Sequence, residues 1–140
     1  MNTIDGARDG AADARRVLLV DDSVDAAQAM SMLLETLGHD VRMLHDAAGA
    51  LAIVDAFQPE VVILDIGLPV MDGCELARLL RARPSTRDAL LLALTGYGGD
   101  ADRQRALDAG FDHHLVKPVS FTDLEDLIAR SFGPDRTRNV

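Results

Sequence analysis

The feature that most limits the fold is a fivefold alternation between a short apolar run and a longer segment with helical spacing. Three of the runs are aliphatic almost throughout, which is typical of strands covered by helices on both faces. Parallel strands need crossover connections, and such crossovers are right-handed. The alternation therefore predicts a doubly wound α/β fold around a five-stranded parallel sheet. The runs are RVLLV (16–20), DVRML (40–44), EVVIL (60–64), ALLLAL (89–94) and DHHLVKP (112–118).

The commonest arrangement of five such units has the strand order 2-1-3-4-5, which is the flavodoxin-like (βα)5 topology. Local signals then place the helices. Gly38 stands where a glycine ends the first helix, and the second helix is predicted over 47–57. The third helix should stop before Pro84, because proline disfavours helix in the residue before it. The last helix should begin at Ser120, which has Asp123 at capping-box spacing.

Length and composition indicate one globular domain. The chain has 140 residues and 48% hydrophobic residues, and we expect a domain over 16–132 between flexible tails at 1–15 and 133–140. A net charge of -9 argues against nucleic acid or an anionic membrane as a direct partner. Cys74 is the only cysteine, so no intrachain disulfide can form. Without a signal peptide or an apolar run long enough for a membrane span, the expected location is the cytoplasm.

Polar side chains stand at the ends of four strands, and all four ends meet at one edge of the predicted sheet. Asp21 and Asp22 follow the first strand and Asp65 ends the third. Thr95 ends the fourth strand and Lys117 ends the fifth. Carboxylates about 4 Å apart repel by roughly 4 kcal/mol per pair at an effective dielectric near 20, so a cation is required. Hard oxygen ligands without histidine or cysteine favour Mg²⁺, and the set suits phosphoryl transfer.

Taken singly, each of these residues has an ordinary structural explanation. An aspartate after a strand is more often a turn former or a helix cap, and a threonine before a glycine is more often a loop residue. The joint occurrence of complementary groups at four strand ends favours a functional site.

Four segments resemble the signature of the receiver domain of two-component response regulators: VLLVDDS, VVILDIGLPVMDG, ALTGYG and AGFDHHLVKPV. The resemblance implies that Asp65 accepts a phosphoryl group from a histidine kinase or a histidine phosphotransfer protein. It implies that Asp22 and Asp65 ligate Mg²⁺ directly, that Asp21 does so through water, and that Gly67 adds its backbone carbonyl. Further implied roles are phosphoryl binding by Lys117 and Thr95, and a cis peptide bond before Pro118.

The sequence also indicates a route for the signal, because glycines at 96, 98 and 99 give the loop after Thr95 freedom to move. The glycine-rich loop at 96–99 and the helix after it are expected to rearrange on phosphorylation, which would alter the face formed by the fourth helix, fifth strand and fifth helix. The fourth helix should be weakly anchored, because the residues that it offers to the core are mainly alanines. Thr95 would act as a switch with His114, which stands where the family usually has Tyr or Phe. The residues expected to face the core are Ala101, Ala106, Leu107 and Ala109.

Two other functions use similar parts. A haloacid-dehalogenase-like phosphohydrolase needs a second acid two residues after its nucleophile, and this chain has Gly67 there. A phosphorylation-independent interaction module would have no need of the complete set of site residues. We therefore expect a signalling phosphoacceptor with an unknown downstream protein target, and no enzyme beyond its own phosphorylation and dephosphorylation. It would be either a free-standing receiver or part of a larger, hybrid histidine kinase.

Overall fold

The computed structural model describes residues 14–96 and 99–132. Strands and helices alternate strictly along this part of the chain, and all strand pairs are parallel. The strand order is β2-β1-β3-β4-β5, which confirms the predicted flavodoxin-like α/β fold. The elements are β1 (Arg16–Val20), α1 (Val24–Thr36), β2 (Asp40–Leu44), α2 (Ala47–Phe57), β3 (Val61–Asp65), α3 (Gly73–Ala82), β4 (Leu90–Thr95), α4 (Asp100–Ala109), β5 (His113–Val116) and α5 (Phe121–Ser131).

The sheet is the middle of three layers. Apolar residues of α2, α3 and α4 form one core with one face of the sheet, and residues of α1 and α5 form a second core with the other face. Strands β3 and β4 are buried over their whole length. Because both strands are covered on each face, their sequences are almost purely aliphatic. The polar site residues Asp65 and Thr95 stand at the carboxyl ends of these strands.

Local signals determine the helix ends. Gly38 follows α1 with a φ of 99°, a left-handed conformation that glycine adopts at little cost. Helix α2 has the predicted bounds, and α3 ends two residues before Pro84. Helix α5 begins after Ser120, whose hydroxyl accepts the N–H of Asp123 at 3.3 Å. These predictions are confirmed.

Two details differ from the sequence-based expectation. Helix α4 buries Ala106 and Ala109, but Ala101 is exposed and Leu107 is 50% exposed. A ten-residue helix beside the edge of a sheet can bury only a narrow stripe, here the i, i+3 pair. Strand β5 is also shorter than the predicted run, because Pro118 has no N–H with which to extend the strand ladder.

Arg81 joins three segments that are far apart in the sequence. Its guanidinium donates to the carbonyls of Gly110 at 2.8 Å and Ala89 at 2.7 Å, and it pairs with Asp112 at 2.8 Å. The last turn of α3 is thereby tied to the starts of β4 and β5. None of the helices in the described part of the chain has the length and apolar character needed to cross a membrane.

Candidate functional site

The carboxyl ends of β1 and β3 bring three aspartates together. These strands are neighbours, with Val20 opposite Leu64, so the residues that follow lie side by side. Asp21 is 2% exposed and Asp65 is 8% exposed, while Asp22 lies at the surface. Each of the three offers a carboxylate oxygen within 4.8 Å of the others. The expected convergence of the acids is therefore present.

Lys117, in the segment after β5, is the cation of this cluster. Its Nζ donates to Asp65 Oδ2 at 2.7 Å and lies 3.3 Å from Asp21 Oδ2. Burial alone would lower the pKa of the Lys117 ammonium, but its hydrogen bonds to these carboxylates and their charges outweigh burial and raise the pKa. One ammonium faces three carboxylates, so the pocket keeps an excess of negative charge.

Asp21 is the most deeply buried acid of the cluster. Burial raises the pKa of its carboxyl group, and the neighbouring charge of Asp65 adds to the increase. The N–H of Ser23, which Asp21 Oδ1 accepts at 2.9 Å, and the charge of Lys117 act in the opposite direction without cancelling it. Ionisation of Asp21 therefore lowers the free energy of unfolding of the protein.

Asp65 is oriented through both of its oxygens. Oδ2 accepts from Lys117, and Oδ1 accepts the backbone N–H of Gly67 at 2.8 Å. The backbone of Gly67 thus lies directly beside the carboxylate, although the contact is made by its N–H. Its carbonyl as a metal ligand stays a prediction.

Thr95 lies at the same edge of the sheet as the acids. It ends β4, is 1% exposed, and its carbonyl accepts the N–H of Lys117 at 2.8 Å. The peptide bond between Lys117 and Pro118 is cis. Residues 97 and 98 of the predicted mobile loop lie outside the described residues, as do 1–13 and 133–140 of the predicted tails.

His114 is not a member of the acidic cluster. It pairs with Ala93 in the sheet, so it faces the side covered by α4, and it is half-buried. Its side chain lines a groove together with Arg103 and Leu107 of α4. The position is compatible with a ring that responds to α4.

Two neighbours of the site were not predicted. His45 Nδ1 lies 3.0 Å from the backbone carbonyl of Asp21. Gly73, the first residue of α3, lies so close to Asp65 that a Cβ at position 73 would be 2.5 Å from the Asp65 carbonyl oxygen. In the sequence, Gly73 stands out only as the last residue of the segment VVILDIGLPVMDG, which does not reveal its close approach to Asp65.

The donor set suits a hard divalent cation. Asp21, Asp22 and Asp65 supply oxygen ligands from two strand ends, and the exposure of Asp22 leaves one side open to water. Oxygen ligands and remaining waters are what Mg²⁺ requires. The residues present could therefore hold such an ion.

We predict that Asp21→Asn stabilises the protein at neutral pH in the absence of divalent cations. Because the folded-state pKa of Asp21 is raised, ionisation costs stability once the pH exceeds the unfolded-state pKa, and the cost is complete above the folded-state pKa. Asparagine can still accept the Ser23 N–H. Urea unfolding at pH 3 and pH 7 should show a gain only at pH 7.

Asp25→Asn is the matched control, since Asp25 is exposed in the first turn of α1 and its charge favours the helix N-terminus. This control should lose a little stability at pH 7. An Asp21→Asn variant that is less stable than the wild type at pH 7 would contradict the pKa direction.

Comparison with known proteins identifies the family. The sequence model of the response regulator receiver domain matches residues 17–129. The transcriptional regulatory protein TrcR of Mycobacterium tuberculosis is 41% identical over 118 residues, which cover 84% of this chain and 44% of TrcR. The chain spans about half the length of several curated relatives that it matches.

Solved structures agree with this match. A chemotaxis response regulator of Vibrio cholerae is similar with a TM-score of 0.78 and 30% identity, over 84% of this chain and 98% of that one. The receiver domain of a sensor histidine kinase from Pseudomonas aeruginosa, solved with magnesium coordinated in its active-site cleft, gives a TM-score of 0.77 and 28% identity, over 84% and 96%. With this fold, this family match and an acidic pocket that fits a phosphoacceptor site, the chain belongs to the response regulator receiver domains of two-component signalling.

Proposed function

We propose that Asp65 is the phosphoacceptor and that the donor is a phosphohistidine of a histidine kinase or histidine phosphotransfer protein. The observation that carries the proposal is the position of the Asp65 carboxylate, which is held by Gly67 and Lys117 within the acidic cluster. An Asp65 oxygen forms the new O–P bond as the P–N bond of the donor breaks. The electron pair of that bond stays on the imidazole nitrogen, which is then a neutral ring nitrogen or takes up a proton.

Lys117 and Thr95 are suited to bind the transferred group. The Lys117 ammonium already contacts Asp65, so it can pair with a phosphoryl oxygen attached there. Thr95 lies at the neighbouring strand end and can donate its hydroxyl to another oxygen. Phosphorylation replaces one negative charge with roughly two, which increases the attraction for both donors.

Mg²⁺ is the proposed cofactor. Asp22 and Asp65 would hold it directly, Asp21 through water, and Gly67 through its backbone carbonyl. A bound Mg²⁺ would neutralise the oxygens of the incoming phosphoryl group. Support comes from the oxygen-only donor set and from the magnesium in the cleft of the Pseudomonas aeruginosa receiver.

Phosphoramidate with Mg²⁺ should add one phosphoryl group to the wild-type protein, and Asp65→Asn should gain none. Asparagine keeps the shape of the side chain but has no carboxylate oxygen to attack phosphorus. Intact-protein mass spectrometry measures the gain. Asp88→Asn is the control, because the Asp88 side chain is 94% exposed and lies far from the acids, and it should be phosphorylated as the wild type is.

The same experiment separates the alternative functions. Rapid continuous release of phosphate, without accumulation of the phosphorylated form, would favour a phosphohydrolase. No mass gain in the wild type would favour a phosphorylation-independent module.

Mg²⁺ should stabilise the wild type against unfolding, by about 2.7 kcal/mol when its concentration is a hundred times the dissociation constant. Asp22→Asn should lose most of this stabilisation, since it removes a ligand that is exposed and makes little contribution to the core. Thermal unfolding with and without MgCl₂ measures the effect. Asp25→Asn changes the charge of the same segment by the same amount and should keep the response to Mg²⁺.

The domain is proposed to span 16–132, and its place in a larger protein is open. Two relatives are transcriptional regulators about twice as long as the matched segment, and one structural neighbour is a receiver of a histidine kinase. A net charge of -9 favours a protein partner over direct contact with nucleic acid or an anionic membrane. The proposed location is the cytoplasm.

The proposed output surface is the face formed by α4, β5 and α5. It contains a groove of about 350 Å³ that His114 lines together with side chains of both helices. Helix α4 buries only Ala106 and Ala109, whereas α5 buries Leu124, Leu127 and Ile128. Alanine buries little apolar area, so α4 is the element that a change at Asp65 displaces most easily, with Thr95 and His114 as the switch residues.

Beryllofluoride, a phosphoryl analogue, should change amide exchange in α4 and β5 more than in α1 and α2. The reason is the weak apolar anchoring of α4. Hydrogen–deuterium exchange with mass spectrometry, with Asp65→Asn as the control that cannot bear the analogue, measures the change. A response confined to α1 and α2 would contradict the proposal that α4, β5 and α5 form the output surface.

A further inference from the structure

The residue that follows Asp65, Ile66, is held through both of its backbone polar groups. Its N–H donates to the carbonyl of Leu94 in β4 at 3.0 Å. The Ile66 carbonyl accepts the N–H of Gly73, the first residue of α3, at 3.1 Å. The backbone next to the proposed phosphoacceptor is thus fixed to a buried strand and to the first turn of a helix.

The contact with α3 is close enough that position 73 has no room for a side chain. An ideal Cβ there would lie 2.5 Å from the carbonyl oxygen of Asp65 and 2.6 Å from Cα of Ile66. Both atoms belong to the backbone, so no side-chain rotation could relieve the overlap. A Cβ at Gly96 or Gly99, by contrast, would meet no atom within 4 Å.

Helix α3 cannot easily move away to make room. Asp72 caps it through a capping box, in which its carboxylate accepts the N–H of Glu75 at 2.9 Å. The next residues inward, Cys74 and Leu76, are buried in the core beneath the sheet. An added methyl group would therefore displace the Asp65 segment at least as much as the helix.

The Asp65 carboxylate has little tolerance for such a displacement. Its two oxygens bond to Lys117 at 2.7 Å and to Gly67 at 2.8 Å. A shift of a few tenths of an ångström changes the geometry of the bond to Lys117 and the distances to Asp21 and Asp22.

We propose that Gly73 is a positioning residue for phosphoryl transfer: its lack of a side chain lets α3 press on the backbone of Asp65 and hold the carboxylate in place. The inference rests on the proposed role of Asp65 as phosphoacceptor. Gly73 touches no reacting atom and acts through the acceptor residue.

Gly73→Ala should lower the rate of phosphorylation by phosphoramidate by about tenfold to a hundredfold, as misplacement of a reacting group does. Magnesium affinity, measured by calorimetric titration without any donor, should fall by about tenfold. One variant serves as the control. Leu80→Ala removes a buried side chain at the far end of α3 and is expected to lose stability alone.

Each phosphorylation rate is divided by the fraction of the protein that is folded. Where a variant is partly unfolded, trimethylamine N-oxide is added to all samples, because this osmolyte favours the folded state. A Gly73→Ala variant with wild-type rate and wild-type magnesium affinity overturns the proposal, and so does an equal loss in Leu80→Ala. If the wild type itself is not phosphorylated, the role of Asp65 fails, and the magnesium titration still tests Gly73.

A Gly73→Ala variant that does not fold leaves a test on the wild type. The amide protons of Ile66 and Gly73 should exchange as slowly as those of the buried strands, because both are donated to backbone carbonyls, those of Leu94 and Ile66. Exchange at the rate of an exposed loop would overturn the proposal.

Discussion

The structure depends on how three carboxylates are tolerated at one edge of a buried sheet. Each pair about 4 Å apart repels by roughly 4 kcal/mol at an effective dielectric near 20, and a whole domain is stable by only about 5–15 kcal/mol. Lys117 reaches two of the acids and offsets part of this repulsion. Its single charge cannot balance all three. The site therefore reduces the stability of the fold in the absence of a further cation, and this is the usual sign of a functional cluster.

The acidic cluster stays assembled because the strands and the helix around it are packed too tightly to move apart. Strands β3 and β4 are wholly buried, and close-packed interiors transmit displacement more readily than they absorb it. The Asp65 segment is further held by β4 and by the first turn of α3 at Gly73. Helix α4 differs from these neighbours, since two alanines are its buried residues. We accordingly expect a change of charge at the acidic edge to be resisted on the α3 side and accommodated on the α4 side.

The parts that could be predicted from sequence are those set by local periodicity and by the rules of parallel sheets. Apolar runs and helix-end signals gave the elements, and the shared edge of parallel strands brought Asp21, Asp22 and Asp65 together. Contacts between distant segments could not be predicted. The role of Gly73 depends on a close approach to Asp65, and the exposure of Leu107 depends on the narrow contact that α4 makes at the sheet edge. Arg81 likewise bonds to segments that only the folded chain brings near.

Gly67 distinguishes a switch from a hydrolase. Water hydrolyses the phosphoryl group from a phosphorylated aspartate, and a well-placed general base speeds such a step by roughly 10²–10⁴. A haloacid-dehalogenase-like enzyme has an acid two residues after its nucleophile for this purpose. Here the residue at that position is Gly67, which has no side chain and whose N–H is already engaged with Asp65 Oδ1. The loop therefore orients the acceptor without supplying a base on the side where a hydrolase has one. If Asp65 accepts a phosphoryl group as proposed, we expect water to remove that group more slowly than from a hydrolase nucleophile that has such a base.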